Sequence, residues 1–175
     1  AKWKKSVFEV YKDASLNLDW TPKLHKFCKK VGIDFFTSPY SIELVDHVDR
    51  FVPAYKIGSG DITWTQHIKY IASKKKPILL ACGAATLDDV VRAVKSVREV
   101  HSDIAVLQCN TNYTGRPDNL DYINLNVIKT LNDMFPDLCI GLSDHTQGHA
   151  TTIGAVALGC RIIEKHFTDD NSRNG

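Results

Sequence analysis

His145 and His166 each close a strand-like run, in residues 141–146 (GLSDHT) and 162–167 (IIEKHF). Neighbouring parallel strands lie about 4.8 Å apart, and imidazole nitrogens hold a zinc-like ion at about 2.0–2.1 Å. Two rings at adjacent strand ends can therefore share one cation. A lone histidine in such a place is more often a hydrogen-bonded structural residue. Two on successive strands shift the reading to a metal site, because a pair of imidazoles leaves positions open for water and substrate oxygens, as a Lewis acid requires. Glu164 or Asp144 is expected to orient a ring from behind.

A second constellation is Tyr55-Lys56-Ile57-Gly58-Ser59-Gly60-Asp61. A lysine inside an apolar strand must find an anion, since an unpaired buried ammonium is very costly. A core carboxylate would satisfy it. The Gly-Ser-Gly turn that follows offers backbone N–H groups and a hydroxyl, which with a point positive charge suit a phosphate or carboxylate ligand. Thr37, Ser38, Asn110, Thr111, Asn112, Tyr113 and Ser143 add hydroxyls and amides at other strand ends, although each taken singly fits a turn or cap. His25, His47, His67 and His101 fall on helices or their ends and are expected to be solvated. His149, at the start of a helix, is ambiguous.

The elements that position these groups alternate. Residues 33–37, 54–58, 77–82, 104–109, 138–143 and 161–166 are strand-like, and helical patterns lie between them. Thr21-Pro22 predicts a helix start, with Leu24, Phe27, Cys28 and Val31 on one face before Gly32. Thr86, with Asp88 and Asp89 behind it, predicts another. Weaker patterns cover 42–51, 64–72, 125–135 and 151–158. Strands that are almost continuously apolar imply a parallel sheet covered by helices. No glycine-rich dinucleotide fingerprint follows a strand, and polar residues gather at the C-terminal ends of nearly all of them. That is the layout of a (β/α)8 (TIM) barrel. With about six of eight strands visible, residues 1–175 are expected to be a partial barrel. Two strands would belong before Ala1 and a final helix after Gly175, with residues 1–18 a loop and the approach to a helix.

Composition excludes other classes. A net charge of +2 gives no case for nucleic acid, and the basic runs 2–5 and 74–76 read as solvated helix ends. No apolar run approaches the roughly 20 residues of a membrane span, and the N-terminus lacks a signal-peptide core, so a cytoplasmic protein is expected. The five cysteines are scattered, without a CxxC, and read as reduced structural thiols. Cys82, before Gly83, is the one to watch as a nucleophile.

Taken in order, Phe36-Thr37-Ser38-Pro39, residues 52–63 (VPAYKIGSGDIT), Asn124-Leu125-Asn126, GLSDHT at 141–146 and IEKHFT at 163–168 resemble the sialic acid synthase family. These are the phosphoenolpyruvate-dependent synthases of nonulosonic acids. The resemblance implies a (β/α)8 barrel that condenses phosphoenolpyruvate with an N-acetylated amino sugar such as N-acetylmannosamine and releases phosphate. It makes His145 and His166 ligands of a divalent ion, usually Mn²⁺ with Mg²⁺ or Co²⁺ as substitutes. Lys56, Ser59, Thr37 and Ser143 would hold phosphoenolpyruvate, Thr111, Asn112 and Tyr113 would complete the pocket or touch the sugar, and Asp61 would contact substrate or relay a proton. It further implies a C-terminal antifreeze-like domain and a homodimer in the full-length protein.

Three departures stand out. Asp61 replaces a commoner Glu, Ala81-Cys82-Gly83 replaces Ser-Thr-Gly, and the segment 109–114 is shifted, which favours Tyr113 over either asparagine. The alternatives are a different divalent-metal barrel enzyme, an aldolase or hydrolase, and an inactive sugar-binding homologue.

Overall fold

The computed structural model describes residues 4–170 and 172. Its centre is a parallel sheet of five strands, β1 (Tyr55–Ile57), β2 (Ile78–Ala81), β3 (Ile104–Cys109), β4 (Cys139–Asp144) and β5 (Ile162–Lys165), each paired with the next in sequence. The returns are helical: α4 (Thr65–Ala72), α5 (Leu87–Arg98), α6 (Asn126–Met134) and α7 (Ala150–Ala157). Strand order that never reverses is the winding of a (β/α)8 barrel. A doubly wound sheet would change direction at a switch point.

Side-chain alternation divides the core into two layers. Leu80, Val106, Ile140 and Leu142 face the helices, whereas Ala81, Ala105, Leu107 and Cys109 form a smaller inner cluster with Leu79, Cys139 and Ile162. Both faces of β3 are thereby buried throughout, which is why its sequence is a continuous apolar run. Gly141 is required on the inner face, where a Cβ would strike Leu107 Cδ2 and lie 2.6 Å from the Ile162 carbonyl. The sheet is curled. Lys56 on β1 and Glu164 on β5, the first and last strands, approach to 3.4 Å inside the arc, whereas four flat strand spacings would separate them by roughly 19 Å. The fold is thus an α/β arc of a TIM barrel.

The structure departs from sequence expectation in several places. The run 33–37 survives only as an isolated parallel bridge from Thr37 to Tyr55, so five strands are present among the described residues where six were expected. Residues 7–14 form helix α1 (Val7–Ala14), capped by a box in which Ser6 and Glu9 satisfy each other's backbone N–H groups. The Ser-x-x-Glu signature was there to be read. Helix α2 (Trp20–Val31) starts earlier than the Thr21-Pro22 cap predicted, because Trp20 and Thr21 already donate to the Asn17 and Leu18 carbonyls. Pro22 is tolerated since the N–H it lacks belongs to the unpaired first turn. Phe27 and Val31, expected on the apolar face of α2, are 60% and 51% exposed. Thr86 caps α5 as expected, with Asp89 completing the box, and a short helix α3 (Ile42–Val48) precedes β1.

Lys74 and Lys76 are tied down by Asp46 at 2.5 Å and Asp49 at 2.9 Å, which corrects the reading of 74–76 as a solvated end. Lys2 and the terminal residues 173–175 lie outside the described residues. No helix among the described residues is long and apolar enough to cross a membrane.

Candidate active site

The inward register of β4 and β5 carries the chemistry. Ser143 and Glu164 are paired across the ladder, and the next inward positions are His145 and His166, just past the ends of the two strands. Their ring centroids stand 5.0 Å apart at 69°. Tyr113, from the loop after β3, sets its ring edge-on to His145 at 4.5 Å and tilted to His166 at 5.8 Å.

The tautomer of His145 follows from its partner. Nδ1 lies 3.0 Å from the Asn110 carbonyl, which can only accept, so Nδ1 carries the hydrogen and Nε2 keeps its lone pair for a cation. Neither Asp144 nor Glu164 accepts a hydrogen bond from this ring, contrary to expectation. Asp144 sits on the outer face, where Lys165 and three threonines surround it, and Glu164 faces Lys56. Cys109 is a further neighbour, its Sγ 3.9 Å from His145 Nδ1 and 3.6 Å from the Thr111 hydroxyl. Burial pushes this thiol up, but hydrogen bonds from His145, Thr111 and Ser143 outweigh it and hold the thiol below its ordinary range. The Cys109 contact correspondingly raises His145 against the opposing effect of burial.

Lys56 is buried at 8% exposure. Its ammonium donates to the Ile57 carbonyl at 3.3 Å. The Glu164 contact is an ion pair without hydrogen-bond geometry, for Glu164 Oε2 is buried with no hydrogen-bond partner. An ammonium has three donors, so Lys56 retains hydrogen-bonding capacity for an anion. It lines a cavity of about 220 Å³ together with Ser59, Tyr113, Ser143, His145 and His166. Ser38, Tyr40, Cys109 and Glu164 line it as well. Counting back by twos along β3 from its end would have found Cys109; nothing in the sequence marks Tyr40. Ala81 also borders this cavity, so the hydroxyl missing from the Ala-Cys-Gly segment is missing there.

Other expected residues stand beside the cavity. Thr37 lines a neighbouring groove with Leu44 and Val48. Thr111 shares a 2.6 Å hydrogen bond with Ser59, and Asn112 is spent inside its own loop, donating to Asn119 Oδ1 at 2.7 Å. Asp61 closes the Gly58 turn, its Oδ2 3.4 Å from where a Cβ on Gly58 would sit, with the Tyr40 hydroxyl 3.8 Å from the same point. Burial raises its carboxyl above the ordinary range despite the opposing charges of His67 and Lys56. His67 is 2% exposed, its Nε2 2.9 Å from the Pro39 carbonyl, which corrects its reading as solvated. It ties α4 to the loop bearing Ser38 and Tyr40. Cys82 faces the helices, and burial pushes its thiol up to about 11, which argues against a nucleophile.

Among the described residues no group of three or more His, Cys, Asp or Glu side chains is placed to hold a metal. The donor set is two imidazoles, one with an accessible tautomer and both at the rim. Such a set fits an ion whose remaining positions are filled by water or substrate.

Titratable and hydroxyl groups gathered at the C-terminal rim of a parallel barrel arc are the layout of the catalytic face of barrel enzymes. The family model described as the NeuB family matches residues 1–175, and the chain belongs to that family. It is 34% identical over 171 residues to a pseudaminic acid synthase of Campylobacter jejuni, covering 97% of this chain and 49% of the relative. To the N-acetylneuraminate-9-phosphate synthase of Homo sapiens it is 30% identical over 174 residues, covering 99% and 48%. The structure of an N-acetylneuraminic acid synthetase from Leptospira borgpetersenii in complex with citrate superposes with a TM-score of 0.83 at 29% identity, covering 91% of this chain and 55% of that one. The chain spans about half the length of the curated relatives it matches.

Proposed function

We propose that this chain forms most of the catalytic barrel of a phosphoenolpyruvate-dependent nonulosonic acid synthase, condensing phosphoenolpyruvate with an N-acetylated amino sugar. The observation that carries the reading is the convergence in one cavity of the under-bonded Lys56 ammonium, the Ser59 and Ser143 hydroxyls and the two imidazoles. Family membership and the relatives' names support it.

In this reading Lys56, Ser59 and Ser143 bind the anionic groups of phosphoenolpyruvate and fix its C3 toward the sugar aldehyde. Carbon C3 attacks the aldehyde carbon, whose oxygen takes up the proton released as water adds at C2. The bond from C2 to the phosphorus-bearing oxygen then breaks, the hydroxyl at C2 becoming a ketone and its proton leaving with the phosphate. His145 and His166 would hold a divalent ion, Mn²⁺ by preference, and the chemistry such an ion would supply there is Lewis-acid polarisation of an aldehyde oxygen. Asn110 holds His145 in the tautomer that leaves Nε2 free. Asp61, whose carboxyl burial raises above its ordinary range, serves as proton relay. Tyr113 closes the sugar side against both rings.

The test is phosphate release from phosphoenolpyruvate by the full-length protein with Mn²⁺ and a panel of N-acetylated amino sugars, and the preferred sugar names the product. His145→Ala and His166→Ala are expected to abolish turnover while the far-ultraviolet circular dichroism stays native. Release without a sugar requirement would point to a different barrel enzyme, and ligand binding without release to an inactive homologue.

A further inference from the structure

Asp144 and Lys165 are register partners in the last rung of the β4–β5 ladder, and each immediately precedes one of the two histidines. The ladder therefore ends one residue short of His145 and of His166, so strand pairing by itself does not hold the rings. What continues past it is a polar cluster on the opposite face of the sheet. The Lys165 ammonium donates to Asp144 Oδ2 at 2.6 Å and to the Thr146 carbonyl at 2.7 Å. The Asp144 carboxylate, whose side chain is 1% exposed, also accepts from the Thr146 N–H at 3.0 Å and from the hydroxyls of Thr146, Thr151 and Thr152 at 2.8, 2.8 and 3.2 Å. His145 is thus flanked on both sides by residues bound to one ammonium, and that ammonium belongs to the neighbour of His166.

We propose that the Asp144–Lys165 pair is a positioning clamp that sets the separation and tilt of His145 and His166, and with them the affinity for a divalent ion, without touching the ion. The inference rests on the ion-binding reading of the two histidines given above. Two imidazoles serve one ion only when held to about 0.5 Å, a tolerance that two chain segments beyond their ladder do not meet unaided. Lys165 also borders the opening of about 620 Å³ beside His145, His166 and Gln147, but an ammonium has no lone pair to offer a cation, so it acts through the histidines.

The experiment uses the full-length protein with Asp144→Asn, Lys165→Met and the conservative Lys165→Arg. Mn²⁺ affinity is read from the free-ion electron paramagnetic resonance signal well below each variant's melting temperature, and the ring separation from a crystal structure of Lys165→Met. Should Asp144→Asn fail to fold, Lys165→Met carries the test, since it truncates a side chain that is 26% exposed. The expected result is Mn²⁺ affinity weakened about 10–100-fold in Asp144→Asn and Lys165→Met, retention in Lys165→Arg, and rings displaced from their 5.0 Å spacing. Unchanged affinity and spacing with only a lower melting temperature would overturn the clamp and leave an ordinary structural pair. A wild-type protein that binds no Mn²⁺ overturns the ion reading instead, and the ring spacing in Lys165→Met then decides the clamp separately.

Discussion

The Lys56 ammonium and the Glu164 carboxylate meet at 3.4 Å across the inside of the arc, from its first strand and its last, with no hydrogen bond between them. An ion pair this loosely made, next to Ser59 and Ser143, leaves the ammonium with donors for a ligand beyond the one given to the Ile57 carbonyl. Phosphoenolpyruvate is therefore expected to raise the melting temperature of the full-length protein by several degrees. Ligand at 100 times its Kd adds about 2.7 kcal/mol, and each kcal/mol shifts a domain of this size by roughly 2–4 °C. Lys56→Met should lose that shift. Scanning calorimetry checks it, and an undiminished shift in the variant would remove Lys56 from the anion site.

Gly83 is where β2's continuation meets the loop after β3. A Cβ there would collide with the Thr111 hydroxyl and sit 2.6 Å from the Cys109 carbonyl, so Gly83→Ala must displace backbone as well as the Thr111–Ser59 hydrogen bond. A loss of about 1–3 kcal/mol is expected, together with a raised KM for phosphoenolpyruvate. Gly60→Ala is the control, since nothing lies within 4 Å of its Cβ position. Urea midpoints of the two variants decide the matter, and equal values would show that the loop gives way freely.

Acid stability should report on Asp144. Burial alone would push its carboxyl up, but Lys165, the Thr146 N–H and the threonine hydroxyls hold it down to about 2, below the ordinary 3.8. A depressed carboxylate contributes its full stability above its unfolded value and loses it as pH falls through the folded one. About 2 kcal/mol should therefore disappear between roughly pH 4 and pH 2. In Asp144→Asn that part of the slope should be absent from urea titrations at stepped pH.

Thiol reactivity should separate Cys109 from Cys82, the cysteine that the sequence singled out. Burial drives Cys82 up to about 11, whereas the contacts of Cys109 with His145, Thr111 and Ser143 overcome its burial. Alkylation at pH 8 followed by peptide mass mapping is expected to label Cys109 well ahead of Cys82, because only the thiolate reacts. Faster labelling of Cys82 would contradict the arrangement of thiols around His145.

Much of the candidate site was legible because strands alternate with period two. Once Ile140 and Leu142 are assigned to the helices, Ser143 and His145 must face inward, and the same logic places Glu164 and His166. Lys56 announced itself as a charge in an apolar run, and Thr86 as a cap with an acidic third residue. The first strand was legible only in composition: residues 33–37 have the right residues, but a strand needs a paired ladder, and a single bridge from Thr37 is all that forms.

The order of alternating elements, the parallel sheet and the polar strand ends were determined by the sequence by itself, since these follow from local periodicity and from which residues can be buried. Tertiary structure alone decided which partners the polar groups found. It paired Lys56 with Glu164 across 108 residues of sequence, gave His145 the Asn110 carbonyl, buried His67 against Pro39, and turned Asp144 away from the histidine next to it toward Lys165. The physical reason is curvature. Closing a sheet brings together side chains from strands distant in sequence, and which of two carboxylates meets which ammonium depends on that arc, a property no local window of residues contains.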